Sequence, residues 1–555
     1  MKSSKSVHPA LSFRGMVLGV IGSAVITASS LYVALKLGAL PWPIVFAALI
    51  SLFFLKALGN TSLNEANVTH TAMSAGAMVA GGLAFTIPGL WMLGQGSDIS
   101  LAQLMIVSLS GTVLGLAATA VVRHFFIDVQ DLPYPIGYSA AESLQAANEN
   151  QGRRTAALFG GMGFAAIYTL LRDAAGVLPK MLFSNIKIPG VNFGLYNSPM
   201  LIATGFIIGP VACLVWFIGG LIGDFGCVVG ASSFGLWDVA FGQSVKSSLG
   251  LGMMLGCGLG IVVTQCIPAI RRHRAKDHTD TAKKASDTSA AAASTDPSSR
   301  RPMRAIIMTL ISCAIIAVAT IALSIPLPAA ALMVIGTWVC VIMSSQAVGT
   351  TGVDPMEVFG VLILLLIQAL CSGVSMVSLF MIAAIVAVAC GLTGDVMNDF
   401  KAGSILHTRP RDQWIAQVIG GLVGAVVASL VLYAMLNAYG ADAFGAGKTF
   451  VAAQASVVAA MVGGVPNLPA FLIGAAIGLV LTCCKLPVMT LGLGVYLPFY
   501  LTLTAAIGGL VRWVYNKIRV RRHLKGDGTA LAAGILGGES LVGVALAFVV
   551  MLTAL

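Results

Sequence analysis

Two amides, three hydroxyls, a carboxylate and an imidazole fall within eleven residues at the head of a long apolar run, Asn64-Glu65-Ala66-Asn67-Val68-Thr69-His70-Thr71-Ala72-Met73-Ser74. On a helix, Asn64, Asn67, Thr71 and Ser74 are spaced by 3, 4 and 3 residues and form one polar stripe. Glu65 and His70 stand beside it. Such a stripe can hydrogen-bond a polar solute, and a carboxylate or imidazole set among apolar residues can carry a proton. The same residues also suit a helix start at a membrane surface, with Asn60 or Asn64 as cap and Glu65 complementing the helix dipole. His70 is equally open to a plain hydrogen bond.

Three further clusters offer related chemistry. In Asp131-Leu132-Pro133-Tyr134-Pro135-Ile136-Gly137-Tyr138, two prolines and a glycine interrupt any helix and leave the phenols of Tyr134 and Tyr138 beside an irregular segment. Glu142 follows, either as part of that site or in capping-box spacing with Ser139. Asp395 and Asp399 stand four apart and share a helical face. Their mutual repulsion, or Lys401, would decide which of them holds a proton. His407, Arg409 and Arg411 beyond them fit a solvated helix end. Glu539, in Gly537-Gly538-Glu539-Ser540, lies about ten residues into the last apolar segment with no basic residue nearby in sequence. It must be protonated, paired across helices or facing water. Glu357 and Asp224 are weaker examples of the same situation.

These groups sit in a chain that is 57% apolar and 10% charged, against about 25% charged in soluble domains. So few charges cannot coat a water-facing globule of 555 residues. A soluble enzyme, a nucleic-acid module, a collagen-like fibre and a disulfide-stapled domain are excluded. The net charge of +11 is not a nucleic-acid footprint, because nine of the 32 Lys and Arg residues lie in 271–304 and five in 517–525. Basic segments between apolar runs mark cytoplasmic loops. The ten cysteines read as small packing residues. The Gly252, Gly256, Gly260 series reads as close helix packing rather than a phosphate loop. There is no phosphate-binding lysine loop, zinc spacing or nucleophile elbow, so the sequence calls for no cofactor and no metal.

Apolar runs recur at roughly 15–35, 43–58, 72–94, 100–122, 156–171, 199–222 and 247–269, and again from 305 to the end. The first is too long for a signal peptide and reads as a span with a cytoplasmic N-terminus. Between the two groups, 275–299 holds no large apolar side chain and reads as a flexible linker. The reading is an all-α polytopic membrane protein in two related halves, 1–270 and 305–555, joined by a basic cytoplasmic linker over 271–304. One local match supports a repeat. Pro41-Trp42-Pro43 precedes an apolar span and then Gly59 to Glu65, as Pro326-Leu327-Pro328 precedes a span and then Gly349 to Glu357. Breaks at Ile87-Pro88-Gly89 and between Gly463 and Pro466 predict interrupted or re-entrant helices, which lipid tolerates only where the freed backbone is buried in protein or lines a cavity.

Asn64-Glu65-Ala66-Asn67, Leu132-Pro133-Tyr134-Pro135-Ile136-Gly137, Asp395-Val396-Met397-Asn398-Asp399-Phe400-Lys401 and Gly537-Gly538-Glu539-Ser540 occur in this order. With Pro410-Arg411, Gln417, Gly420 and Leu493-Gly494-Val495-Tyr496-Leu497-Pro498, they resemble the oligopeptide transporter (OPT) family, in particular the branch shared by bacterial members and yellow-stripe-like metal-chelate transporters. The resemblance implies about 16 membrane segments and cotransport of a short peptide or a metal chelate with protons. It favours Glu65, Asn67, Tyr134, Asp395, Asp399 and Glu539. His70 stands where the family pattern suggests glutamine, and Ala66 is small where a polar residue is common. The resulting expectation is a secondary active, proton-coupled importer of short oligopeptides in the cell (inner) membrane, and not an enzyme. The alternatives are a siderophore- or nicotianamine-like chelate importer and, behind it, a passive channel. Glu65, Glu539, Asp395, Asp399 and His70 are the proton-coupling candidates. Asn64, Asn67, Thr71, Tyr134, Tyr138, Glu142 and Tyr496 are the ligand contacts. The expected partners are the small-molecule cargo, protons and the bilayer, with pairing of two copies left open and no nucleic acid.

Overall fold

The computed structural model describes residues 9–37, 44–96, 99–149, 151–183, 185–261, 263–264, 300–351, 354–445, 447–463, 465–522 and 528–553. The expected linker therefore lies outside the described residues up to 299. Its last residues, 300–304, already belong to the helix Arg300–Ala322. Among the described residues the regular elements are helices and one two-residue strand pair, Met181–Leu182 against Leu195–Tyr196. Among those residues, eight helices are long and apolar enough to cross a membrane, and six shorter apolar helices accompany them. The count of about 16 segments stays an expectation. A multi-pass all-α membrane protein is what the helices form.

Two helices make the centre. Leu63–Ala84 is buried along almost its whole length. Met376–Ile405 is buried over most of its 30 residues. Ser62, and neither Asn60 nor Asn64, caps the first, accepting from the Glu65 backbone N–H at 3.1 Å. Capping by Ser62 leaves the amide of Asn64 free to bond across helices. Small residues set how closely the helices approach. A Cβ on Gly76 would lie 2.7 Å from the Cα of Gly424, so Leu63–Ala84 and Pro410–Tyr439 meet backbone to backbone. Gly252 and Gly256 press on Phe471 and Ala475 in the same manner, as the spacing predicted.

The two sequence halves interleave. Leu63–Ala84 packs on Met376–Ile405 and Pro410–Tyr439. Gln151–Thr169 lies along Thr529–Thr553, and Val239–Ile261 along Leu468–Cys483.

Two buried turns join a long helix to one too short to cross a hydrocarbon core of about 30 Å. Leu327–Thr351 is followed by Met356–Leu370, whose 15 residues reach only about 22 Å. Gly336 meets Ile363, so the two run antiparallel, and the turn at Pro355-Met356-Glu357 is buried. Val488–Tyr496, nine residues long, turns at Leu497-Pro498 into Phe499–Arg522, and Leu497 is likewise buried. Both turns bury their irregular backbone inside the protein, the one setting in which lipid permits it. The expected breaks also appear. Pro88 restarts a short helix, Pro88–Met92, and Ala453–Gly463 ends before Asn467 caps Leu468–Cys483.

Candidate functional site

The polar stripe on Leu63–Ala84 faces the turn and helix that follow Met376–Ile405, and it is stitched to them. Asn67 Nδ2 donates to Thr408 Oγ1 (3.1 Å), and Thr408 donates to Asn64 Oδ1 (2.9 Å). Gln413 Nε2 reaches the Asp399 carbonyl at 2.8 Å and lies 3.4 Å from Thr71 Oγ1. Ser74 Oγ donates to Asp399 Oδ2 at 3.1 Å, and the Gln417 amide donates to the same oxygen. The stripe that spacing assigned to cargo is thus largely satisfied by protein groups. Periodicity showed that the groups share a face, and helix packing decided what that face meets.

The buried carboxylates fall into two kinds. A carboxylate has about four lone-pair positions to fill. Glu65, completely buried, fills all four. Ser12 Oγ (2.6 Å) and Arg14 Nε (2.8 Å) donate to Oε1, while Arg14 and Thr61 each donate to Oε2 at 2.8 Å. Arg14 also donates to the carbonyls of Leu58 and Asn60. Glu539 accepts two hydrogen bonds, from Ser198 Oγ (2.7 Å) and the Met200 backbone N–H (2.8 Å), and forms an ion pair with Arg172 at 2.9 Å. Its partner comes from 367 positions earlier in the chain, which resolves the three-way choice in favour of pairing across helices. Asp224 stands between the two kinds, because its Oδ1 pairs with Lys246 at 2.8 Å while its Oδ2 is buried without a hydrogen-bond partner among the described residues.

The second kind has oxygens without donors. Asp395 Oδ2 is buried with no hydrogen-bond partner among the described residues. The same is true of Asp354 Oδ2, whose Oδ1 accepts from Ser344 Oγ at 3.0 Å. Asp354 sits in the buried turn after Leu327–Thr351. A Cβ on Gly394 would lie 2.5 Å from its Oδ2, so the glycine next to Asp395 is what admits this carboxylate. One helical turn on, Asp399 Oδ1 lies 3.9 Å from Nδ1 of His70. Both His70 ring nitrogens are buried without a partner. Asp354, Asp395, Asp399 and His70 therefore succeed one another along the side of Met376–Ile405. Among the described residues, no three His, Cys, Asp or Glu side chains are grouped to hold a metal. Asp354 was missed in the sequence reading. The rule that singled out Glu539, an ionisable group inside an apolar stretch, applies to it equally.

Tyr134 holds the Asp354 turn in place. Its backbone N–H donates to the Gly349 carbonyl (2.9 Å) and its hydroxyl to the Ser345 carbonyl (3.0 Å), both on the last turns of Leu327–Thr351. It takes a positive φ of 41° to do so and is fully buried. Its hydroxyl is therefore spent on backbone and not on a cargo-facing surface. Tyr138 points outward and is 51% exposed. The side chain of Glu142 lies outside the described residues.

The other end of the molecule, where Phe13–Leu37 terminates, holds several cavities, and two of them carry charged and phenolic side chains of interest. One, of about 400 Å³, is walled by Trp91, Ser247, Asp442, Lys448, Ser456 and Tyr496. There the Tyr496 hydroxyl donates to Ser456 Oγ at 2.8 Å, and Tyr496 alone of the expected ligand contacts lines either cavity. The second, of about 620 Å³, lies between Lys36, Asp173, Lys180, Tyr196, Lys448 and Tyr500. No expectation from the sequence pointed to it.

Over residues 10–550 the chain matches the family described as OPT oligopeptide transporter protein. A Haemophilus influenzae protein named "Putative oligopeptide transporter" is 24% identical over 594 residues, covering 94% of this chain and 92% of that one. Metal-nicotianamine transporter YSL2 of Arabidopsis thaliana is 41% identical over 59 residues, 9% of each chain. This multi-pass membrane protein is a transporter rather than an enzyme, and it belongs to the OPT oligopeptide transporter family.

Proposed function

We propose that the protein is a secondary active transporter that imports short oligopeptides together with protons. The observation that carries this reading is the set of unpartnered atoms, Asp354 Oδ2, Asp395 Oδ2 and both His70 nitrogens, buried beside the helix Met376–Ile405. Stranding such groups in a dry interior costs free energy. A transporter recovers that cost if the sites take up and release a proton during its cycle. Asp395 and Asp399 carry the proton, with Asp354 and His70 as their neighbours. Glu65 and Glu539 act as ion-paired clasps instead of proton carriers. Movement of the Tyr134-held turn at Asp354 would connect proton uptake to opening.

Orientation follows from charge. Arg14, Arg123, Lys401, Arg409 and Arg411 gather at the Glu65 end, since Glu65 binds Arg14, Asn64 bonds to Thr408, and Lys401 pairs with Asp131. That end is cytoplasmic by the positive-inside tendency, which puts the two cavities on the side from which cargo arrives. The relative named a metal-nicotianamine transporter supports a second reading, import of metal chelates, over its short matching stretch.

The test is uptake into proteoliposomes of labelled short peptides and of iron chelates, with and without an inward proton gradient. Peptide accumulation that needs the gradient and disappears in Asp395→Asn is the expected result. Flux independent of the gradient, or ion currents without accumulation, would make the protein a passive channel and overturn the reading.

A further inference from the structure

Resting on that transport reading, we infer that the 620 Å³ chamber is a subsite for the carboxylate of the cargo, with the Lys36 ammonium as its counter-charge. Its volume lies within the roughly 300–1,000 Å³ of small-ligand pockets.

Three lysines, Lys36, Lys180 and Lys448, line the wall, and none has an ion-pair partner among the described residues. Lys36 is held in place. Its Nζ donates to the Thr449 carbonyl at 3.0 Å and lies 5.6 Å from the ring centre of Tyr196 and 5.4 Å from that of Phe450. An ammonium has three protons to donate, and one carbonyl leaves others for a ligand. The guanidinium of Arg172 also lies near Tyr196, at 5.7 Å from its ring centre, so two cations with different duties share one ring. Arg172 is committed to Asp173 and Glu539. That group of one cation and two carboxylates offsets only one lysine charge, and the chamber keeps a surplus of two positive charges. The phenols of Tyr32, Tyr439 and Tyr500 add polar groups to the same walls.

A concave space with unpaired ammonium groups, a fixed lysine and phenol hydroxyls fits an organic carboxylate. The carboxylate comes either from the C-terminus of a short peptide or from the chelator of a bound metal.

Equilibrium binding to the purified, detergent-solubilised protein separates these sources. The probes are radiolabelled trialanine, trialanine amide and ferric citrate. Wild-type protein is expected to bind trialanine about tenfold or more tightly than its amide, because a hydrogen bond to an ionised group is lost. In Lys36→Gln the ratio falls towards one, and in Lys36→Arg it is retained. The ratio is internal to each variant, so a poorly folding protein cannot imitate the result. Ferric citrate binding that Lys36→Gln weakens, with trialanine and its amide bound alike, assigns the subsite to chelates. A wild-type peptide ratio of one without ferric citrate binding overturns the inference. So does a ratio, or ferric citrate binding, that is unchanged in Lys36→Gln. Proteoliposome uptake is measured separately. Binding with the expected ratio but no uptake leaves the subsite standing and removes the transport reading. Uptake without carboxylate discrimination does the reverse.

Discussion

The Arg14–Glu65 clasp and the Asp354–Asp395 pair are both buried carboxylate sites, and they differ in one respect. Glu65 has a donor for every lone pair, including two nitrogens of one guanidinium. Asp354 and Asp395 each keep an oxygen with none. Burial does not separate the two, because Glu65, Asp395 and the Oδ2 atom of Asp354 are all sheltered from solvent. The supply of donors does. A saturated carboxylate ties elements together, here the start of Phe13–Leu37, the 58–62 loop and the start of Leu63–Ala84. A carboxylate short of donors has room for a proton.

The sharpest way to break this contrast is to remove the acid on each side. Glu65→Gln leaves Arg14 without its counter-charge and should lower stability by about 3–5 kcal/mol, read from denaturant unfolding of the purified protein. Replacing both partners with methionine should cost less than either single change. A Glu65→Gln loss near zero would make the clasp incidental. Asp395→Asn is expected to show the opposite behaviour, with stability within about 1 kcal/mol of wild type and gradient-driven accumulation abolished. An Asp395→Asn protein that still concentrates peptide would remove Asp395 from the proton path. Next in size, Gly394→Ala drives a Cβ to 2.5 Å from Asp354 Oδ2. It should cost about 1–3 kcal/mol through overpacking and lower the uptake rate, and unchanged uptake would mean the closeness of Asp354 to this helix is irrelevant. Tyr134→Phe removes a single hydroxyl bond to the Ser345 carbonyl and should cost about 1 kcal/mol. Tyr138→Ala, on the outward face, should change stability by no more than about 0.5 kcal/mol. A large uptake defect there would return Tyr138 to the ligand contacts.

Much of this architecture can be read from residue order. Apolar runs gave the helices, and Pro and Gly inside them gave the breaks at Pro88 and Gly463. Polar residues set within apolar runs named Asp395, Asp399 and His70. Pairing could not be read, because it depends on which helices become neighbours. Arg14 and Glu65 are separated by 51 residues and Arg172 and Glu539 by far more, and no periodicity links them. Asp354 and Arg172 were within reach of the reasoning that found Glu539, since each interrupts or ends an apolar stretch. The Lys36 chamber was not. Its walls come from six separate stretches of chain that only the folded packing brings together.

The contact between Gly76 and Gly424 limits how this protein can change shape. With one main chain lying directly on another, there is no side-chain cushion along which Leu63–Ala84 could slip past Pro410–Tyr439. If the transporter opens as proposed, the two helices should move together as one unit while the half-length helices Met356–Leu370 and Val488–Tyr496 shift around them.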